Sequence, residues 1–243
     1  DALIDMFTNS ITKSNEKYLT IDVADDGTDK TIFAFWQGLE LYRIEQFERM
    51  NTEGIVAQTR EYQAEEQIPM TQTAVDAIGV GAGVASNSLL DGIISFKSSH
   101  QAMKTDIDPV RLPNIHYSKE ASLTSDYKNL RSQCIFTLAD LVNNHEIAVK
   151  LDNGIIKERI IEELSLYQDA SKGDGKRMAT QKDDLKALLG RSPDITDTLI
   201  MRMYFQVRER LLPMQSEQQV EVNNKLKNQF AMNESKASLN STK

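Results

Sequence analysis

The sequence predicts an α/β protein built on a mixed β-sheet flanked by helices on both faces. Three observations predict it. Period-2 apolar patterns dominate the first fifty residues, strand-like and helix-like stretches then alternate to residue 96, and helical stretches recur between residues 126 and 211. Tyr18 to Val23 reads as a strand, followed by the turn cluster Asp25-Asp26-Gly27-Thr28-Asp29. Thr31 to Trp36 and Leu39 to Phe47 are two more strands, with Gln37-Gly38 suited to a hairpin turn. A helix from Thr52 to Gln67 carries Ile55, Val56, Thr59 and Tyr62 at helical spacing and ends before Pro69. A short strand, Ala74 to Ile78, leads through a glycine-rich turn into a helix over Val84 to Leu90, and Ile93 to Phe96 is a further strand.

Residues 98–122 are polar and irregular, with Pro109 and Pro113, and read as a loop. A long amphipathic helix follows from Asp126 to Asn143, with Tyr127, Leu130, Cys134, Leu138, Leu141 and Val142 on one face. Ile147 to Val149 is a strand and Ile155 to Leu164 a short helix. A hairpin-like tip surrounds Lys172 to Lys176, and helices over Asp183 to Leu189 and Pro193 to Leu211 finish the fold. Beyond Pro213 the chain turns rich in Gln, Asn, Ser and Lys, the composition of a flexible tail over 214–243.

The 243 residues fit one large domain or two small ones. No run approaches the ~18 apolar residues of a membrane span, and no signal peptide is visible. The first residue is Asp1, so a processed or excised piece of a longer protein is expected. A single cysteine, Cys134, excludes a disulfide framework and a cysteine-based zinc site, and reads as a small buried hydrophobe. The net charge of −8 argues against a protein that coats nucleic acid, though not against an enzyme holding DNA beside metal-binding carboxylates.

Three acids stand out because apolar surroundings make an unpartnered charge costly. Asp22 lies within an apolar strand; its plainer reading is a strand-end residue capping the next turn. Asp76 lies within a second apolar strand, directly before Gly79-Val80-Gly81-Ala82-Gly83. That glycine run is neither a dinucleotide fingerprint nor a phosphate loop, having the wrong spacing and no following Lys-Ser or Lys-Thr. It suits a sharp turn beside a crowded site. Asp197 sits among Ile195, Leu199, Ile200 and Met203. Asp194 precedes it by one turn, where a first-turn acid also complements the helix dipole. Ser192 and Pro193 read as N-cap and first helical residue. Asp25, Asp26 and Asp29 are accounted for by their turn, and His100, His116 and His145 share no ligand spacing and read as surface or loop residues.

Hard oxygen ligands from Asp22, Asp76, Asp194 and Asp197 would select Mg²⁺ or Mn²⁺ over zinc. Two such ions roughly 3.5–4 Å apart support phosphodiester hydrolysis. From Lys172 to Arg191, six bases (Lys172, Lys176, Arg177, Lys182, Lys186, Arg191) outnumber three acids, a local excess suited to holding a DNA backbone without reading its sequence. A solvated helix face is the plainer reading of the same charges.

The segments Ile21-Asp22-Val23-Ala24 with Asp29-Lys30, Val75-Asp76-Ala77-Ile78-Gly79-Val80-Gly81, and Gly190-Arg191-Ser192-Pro193-Asp194-Ile195-Thr196-Asp197 together resemble the C-terminal nuclease domain of phage terminase large subunits. Asn129-Leu130-Arg131 and Lys182-Asp183-Asp184-Leu185-Lys186 add to the likeness, which covers about residues 17 to 211. The resemblance implies an RNase H-like fold and a Mg²⁺- or Mn²⁺-dependent endonuclease that cuts concatemeric viral DNA during genome packaging. It implies metal ligands at Asp22, Asp76 and Asp197, with Asp194 a neighbouring ligand whose identity varies in the family. Thr198 departs from the family, which commonly has Ala there. The implied organisation is a linker over 1–16 from a preceding ATPase domain, a nuclease domain over 17–213, and a tail over 214–243. The implied setting is the host cell cytoplasm, with double-stranded viral DNA, the terminase small subunit and the portal as partners and no membrane.

Three other readings remain open from the residues. Holliday-junction resolvases share the fold and the acid pattern. Asp26-Gly27-Thr28 after the first strand is similar to the phosphate loop of the actin and sugar-kinase group, although no second phosphate loop or adenosine motif accompanies it. A non-catalytic DNA-binding assembly module is the third.

Overall fold

Strand Thr31–Gln37 is apolar on alternate and intervening positions alike, which requires cover on both of its faces. In the computed structural model it is β2 of a six-stranded sheet, and the structure describes residues 1–24, 29–48, 50–103, 126–173 and 175–209. The turn residues Asp25 to Thr28, the loop with Pro109, Pro113 and His116, the end of the last helix at Leu211, and the tail over 214–243 lie outside the described residues.

β1 (Lys17–Asp22), β2 and β3 (Glu40–Phe47) form an antiparallel meander. Gly38 turns β2 into β3 with φ +59°, and a Cβ there would lie 2.6 Å from that of Ser14. β4 (Thr73–Asp76) joins β1 in parallel and β5 (Ile94–Phe96) joins β4 in parallel. β6 (Ala148–Val149) pairs in parallel with β3, giving the order β5-β4-β1-β2-β3-β6.

Alternation then divides the core. Leu19, Ile21, Phe33, Phe35 and Val75 face a layer made by α2 (Thr52–Glu66) and α3 (Gly81–Ala85). Tyr18, Ile32, Ala34, Trp36 and Ala74 face the opposite layer, made by α4 (Leu130–Asn143), α5 (Gly154–Ser165) and the last helix. That helix, α7, the last among the described residues, begins at residue 194, after α6 (Lys182–Leu189). Contacts divide the chain into a unit over Asp1–Phe205 and a second over Gln206–Lys243, of which 206–209 are described and helical.

Several boundaries differ from the sequence reading, for local reasons. α4 starts at Leu130 because the Asn129 side chain accepts from the Ser132 amide. The helix expected over Val84 to Leu90 is α3 followed by a separate turn over Ser88–Leu90, whose start is fixed by Asn87 accepting from the Leu89 amide. Residues 1–16, expected as a linker, are part of the first unit. Helix α1 (Ala2–Asp5) packs on α4 and α5, Met6 is fully buried, and the Met6 carbonyl accepts from the Val149 amide at 2.8 Å. Cys134 is buried in α4 as expected.

Candidate metal centre

Asp22 and Asp76 are the last residues of β1 and β4 rather than interior positions. Those strands are parallel neighbours, so both carboxylates emerge at the same edge of the sheet. Alternation also gives them one face. Asp22 shares parity with Tyr18 and Thr20, and Asp76 with Ala74, which places both toward α4 and α7. After Asp76 the chain must turn at once. At Gly81 a Cβ would lie 1.8 Å from the Asp76 carbonyl oxygen, so no other residue fits that turn.

α7 supplies the other two acids, Asp194 and Asp197. Its start is not capped by Ser192, whose hydroxyl instead donates to Asp29 Oδ2 at 2.9 Å. The Thr196 amide donates to Glu163 Oε2 of α5 at 3.1 Å, so a carboxylate from another helix does the capping. Glu163 is fully buried and also takes Arg191 Nη1, with Arg159 Nη2 at 3.5 Å.

The four acids line one cavity of about 240 Å³, open to solvent, together with Asp29, Arg131 and Lys182. Lys182 Nζ is 2.6 Å from Asp197 Oδ2, and Arg131 Nη2 donates to Asp197 Oδ1 at 2.9 Å and to the Tyr167 hydroxyl oxygen at 3.1 Å. Burial pushes the Asp22 carboxyl well above its usual range, and the charges of Asp197, Asp194 and Asp76 push the same way against Lys182. Burial likewise raises Asp76 to about 6, against the pull of Lys182. Asp194 is raised by burial and by Asp29 beside it. Burial alone would lower the Lys182 ammonium, yet Asp197 and Asp22 hold it above its usual value.

Asp76 Oδ1 is buried and accepts no hydrogen bond among the described residues, an orphaned anionic oxygen of the kind a cation satisfies. Among the described residues no three Asp, Glu, His or Cys side chains are grouped tightly enough to hold an ion. The positive charge these acids need comes here from Lys182 and Arg131. The donor set fits a hard divalent cation, since every candidate ligand is a carboxylate oxygen.

The basic segment does not form one patch. Lys182 and Lys186 line the carboxylate cavity. Arg177 lies over the Phe136 ring, 3.7 Å from its centroid, and 3.8 Å from Asp169. Lys172 and Lys176 are exposed near the 169–179 bridge. Arg191, expected on the DNA side, is bound to Glu162 and Glu163 and ties α5 to the start of α7. His100 and His145 lie in turns on the exposed surface.

Asp29, Arg131 and Glu163 were not singled out as site residues by the sequence. Arg131 carried a legible signal, because it stands in the first turn of a helix buried almost throughout from Leu130 to Leu138. Glu163 carried another, at the third position of the stripe Ile156, Ile160, Glu163.

No family model matches the chain, and no curated protein matches it in sequence. Solved structures do. A calcium-containing point mutant of gp2c, from the large terminase subunit of bacteriophage Sf6, matches with TM-score 0.67 at 20% identity, over 83% of this chain and 96% of that one. The nuclease domain of the Sf6 large terminase subunit gp2 matches with TM-score 0.66 at 20% identity, over 83% and 95%. A mutant of that domain with manganese and beta-thujaplicinol matches with TM-score 0.62 at 21% identity, over 79% and 89%. At these identities the likeness is one of architecture: the chain has the RNase H-like fold found in the nuclease domain of a phage large terminase subunit.

Proposed function

We propose that this chain is a metal-dependent DNA endonuclease, the nuclease part of a terminase large subunit that cuts concatemeric viral DNA during phage genome packaging. One observation carries the reading. Asp22 and Asp76, at the ends of parallel strands, share an open cavity with Asp194 and Asp197 of the last helix. The Sf6 structures, one with calcium and one with manganese, support a divalent cation at such a site.

Asp22, Asp76 and Asp197 would hold two Mg²⁺ or Mn²⁺ ions, with Asp194 beside them. Bound there, such ions supply a nucleophile from water at neutral pH and neutralise charge on the leaving oxygen. Arg131 fixes the Asp197 carboxylate through Nη2, and Tyr167 holds that guanidinium from the other side. Lys182 neutralises the acids and stands ready to face a phosphate. Lys172, Lys176, Arg177 and Lys186 hold the duplex backbone, while Arg191 serves the fold. The small subunit, the portal and the host cytoplasm follow from the packaging role.

Supercoiled plasmid incubated with Mn²⁺, Mg²⁺ or EDTA tests this, alongside Asp22→Asn, Asp76→Asn and Asp197→Asn. The expected result is metal-dependent nicking that all three variants lose. Cutting retained in the variants, or a parent protein silent with every metal, would overturn the proposal.

A further inference from the structure

The carboxylate cavity is not lined by polar groups alone. Val23, Ile78, Phe96, Ile200 and Met201 share its wall with the four acids. Phe96, Ile200 and Met201 are buried and belong to the core. Ile78 differs. It is 53% exposed and belongs to neither apolar cluster, so packing of the fold does not account for it. Among the described residues the other exposed large apolar side chains are Ile4, Leu89, Ile155 and Leu188, and none of these lines the cavity.

The position of Ile78 is fixed by the same turn that shapes the metal centre. It follows closely on Asp76, at the edge where β1 and β4 end. The Ala77 amide before it donates to the Phe96 carbonyl at 2.8 Å, and its own amide faces the Asp76 carboxylate. Gly79 after it turns the chain with φ +59°, and Gly81 lies against the Asp76 carbonyl. A β-branched side chain adds its own stiffness at χ1. The result is a rigid apolar surface held open beside one of the candidate ligands. Exposed to water, that surface is unfavourable, and a molecule that brings apolar area into the cavity gains by covering it.

We infer that Ile78 contacts the substrate directly, packing on the sugar and base of the nucleotide beside the bond that is cut. The inference rests on the reading of the chain as a DNA nuclease. A nucleic-acid strand presents charged phosphates and also the apolar surfaces of its sugars and bases, and the cavity holds a counterpart for each. Lys182 and Lys186 of α6 supply cations, and Ile78 supplies an apolar contact from the loop after β4. Aliphatic side chains make such contacts with bases in other DNA-binding proteins. Every nucleotide carries a sugar and a base, so the contact orients the strand without reading its sequence. It sets how the nucleotide lies while its phosphate meets the acids.

Isoleucine δ-methyl NMR reads the contact, with a short duplex added in EDTA, where nothing is cut. Ile78→Val assigns the Ile78 methyl resonance by its disappearance. Duplex should move that resonance and leave those of Ile4 and Ile155, which are at least as exposed and lie outside the cavity. Covering the exposed half of one isoleucine predicts that Ile78→Ser weakens duplex binding about 4- to 12-fold. The slope of log affinity against log salt should stay that of the parent, because no phosphate contact is lost. Ile78→Val should keep most of the affinity. Lys186→Ala, by contrast, should reduce the slope by about 0.9. An Ile78 methyl unmoved by a duplex that binds, with Ile78→Ser binding as tightly as the parent, would overturn the inference and leave the nuclease reading intact. A parent protein with neither affinity for duplex nor metal-dependent nicking would overturn the nuclease reading and this contact with it.

Discussion

Glu162 and Glu163 are neighbours on α5, and both bind the guanidinium of Arg191, Glu162 through Nη2 and Glu163 through Nη1. Their surroundings differ completely: the Glu162 side chain is 57% exposed and that of Glu163 is 0% exposed. Glu162→Gln removes a surface ion pair and should cost about 0–1 kcal/mol. Glu163→Gln leaves Arg191 and Arg159 short of a buried counter-charge while keeping an acceptor for the Thr196 amide. Hydrogen bonds to charged groups put that loss at about 1.5–3 kcal/mol. The larger figure for breaking a fully buried pair, about 3–5 kcal/mol, does not apply. Both arginines keep some water, their side chains being 30% and 23% exposed. Burial also raises the Glu163 carboxyl by more than its partners lower it, so ionising it costs some stability that a neutral glutamine avoids, which holds the loss to the lower part of the charged hydrogen-bond range. Taking ~2 kcal/mol, Glu163→Gln should lower Tm by about 4–8 °C in a unit of this size. Urea unfolding should show a lower midpoint at unchanged m. If Glu162→Gln and Glu163→Gln cost the same, burial does not set the worth of this pair, and the account of how α7 is held fails.

Gly81→Ala forces a Cβ to within 1.8 Å of the Asp76 carbonyl, so the end of β4 must shift. The expected cost is about 1–3 kcal/mol with a loss of metal-dependent nicking, and a variant as active and stable as the parent would refute the close approach. Lys182→Ala removes a charge that pulls the Asp76 carboxyl down, so its titration should move above the present value of about 6. Carbon NMR of the carboxyl reads this directly, and an unmoved titration would place the ammonium elsewhere. Burial pushes Glu66 up, but Lys17 at 2.8 Å and the Tyr42 hydroxyl at 2.9 Å outweigh it, and the net shift is downward. A folded value below the unfolded one stabilises the fold above the unfolded value, and that stability is lost as pH falls through the folded value. Glu66→Gln should therefore cost stability at neutral pH, with the gap in Tm closing on the acid side. A gap independent of pH would refute the linkage.

What the sequence reveals here is set by how local the cause is. β1, β2 and β3 follow from period and turn chemistry, and the structure places them within a residue or two. Asp22, Asp76 and Asp197 were legible because a charge among apolar neighbours contradicts its own surroundings. The expected cap at Ser192 went wrong for the opposite reason: its hydroxyl is taken by Asp29, from a distant loop, and Glu163 caps the helix instead. Arg191 reads as a surface cation until α5 brings Glu162 and Glu163 to it. Lys182 looks like one of six similar bases, and only the approach of α6 to the sheet edge makes it the counter-ion of Asp197.

The division of the four acids between sheet and last helix also orders events in time. Asp22 and Asp76 belong to strands whose ladder is complete early in the chain, whereas Asp194 and Asp197 arrive only when α7 docks. The same helix brings Ile195, Leu199, Ile200 and Met203, each at most 1% exposed, so its docking also completes the core on that side of the sheet. Contacts between distant parts of a chain close late, because loop entropy opposes them until enough apolar surface is buried. Docking of α7 therefore both completes that side of the core and assembles the carboxylates. A nascent or partly opened chain carries two of the four acids and no centre, and the amides of Thr196 and Asp197 should exchange with solvent only through global unfolding. A centre built from all four acids therefore exists only while α7 is docked.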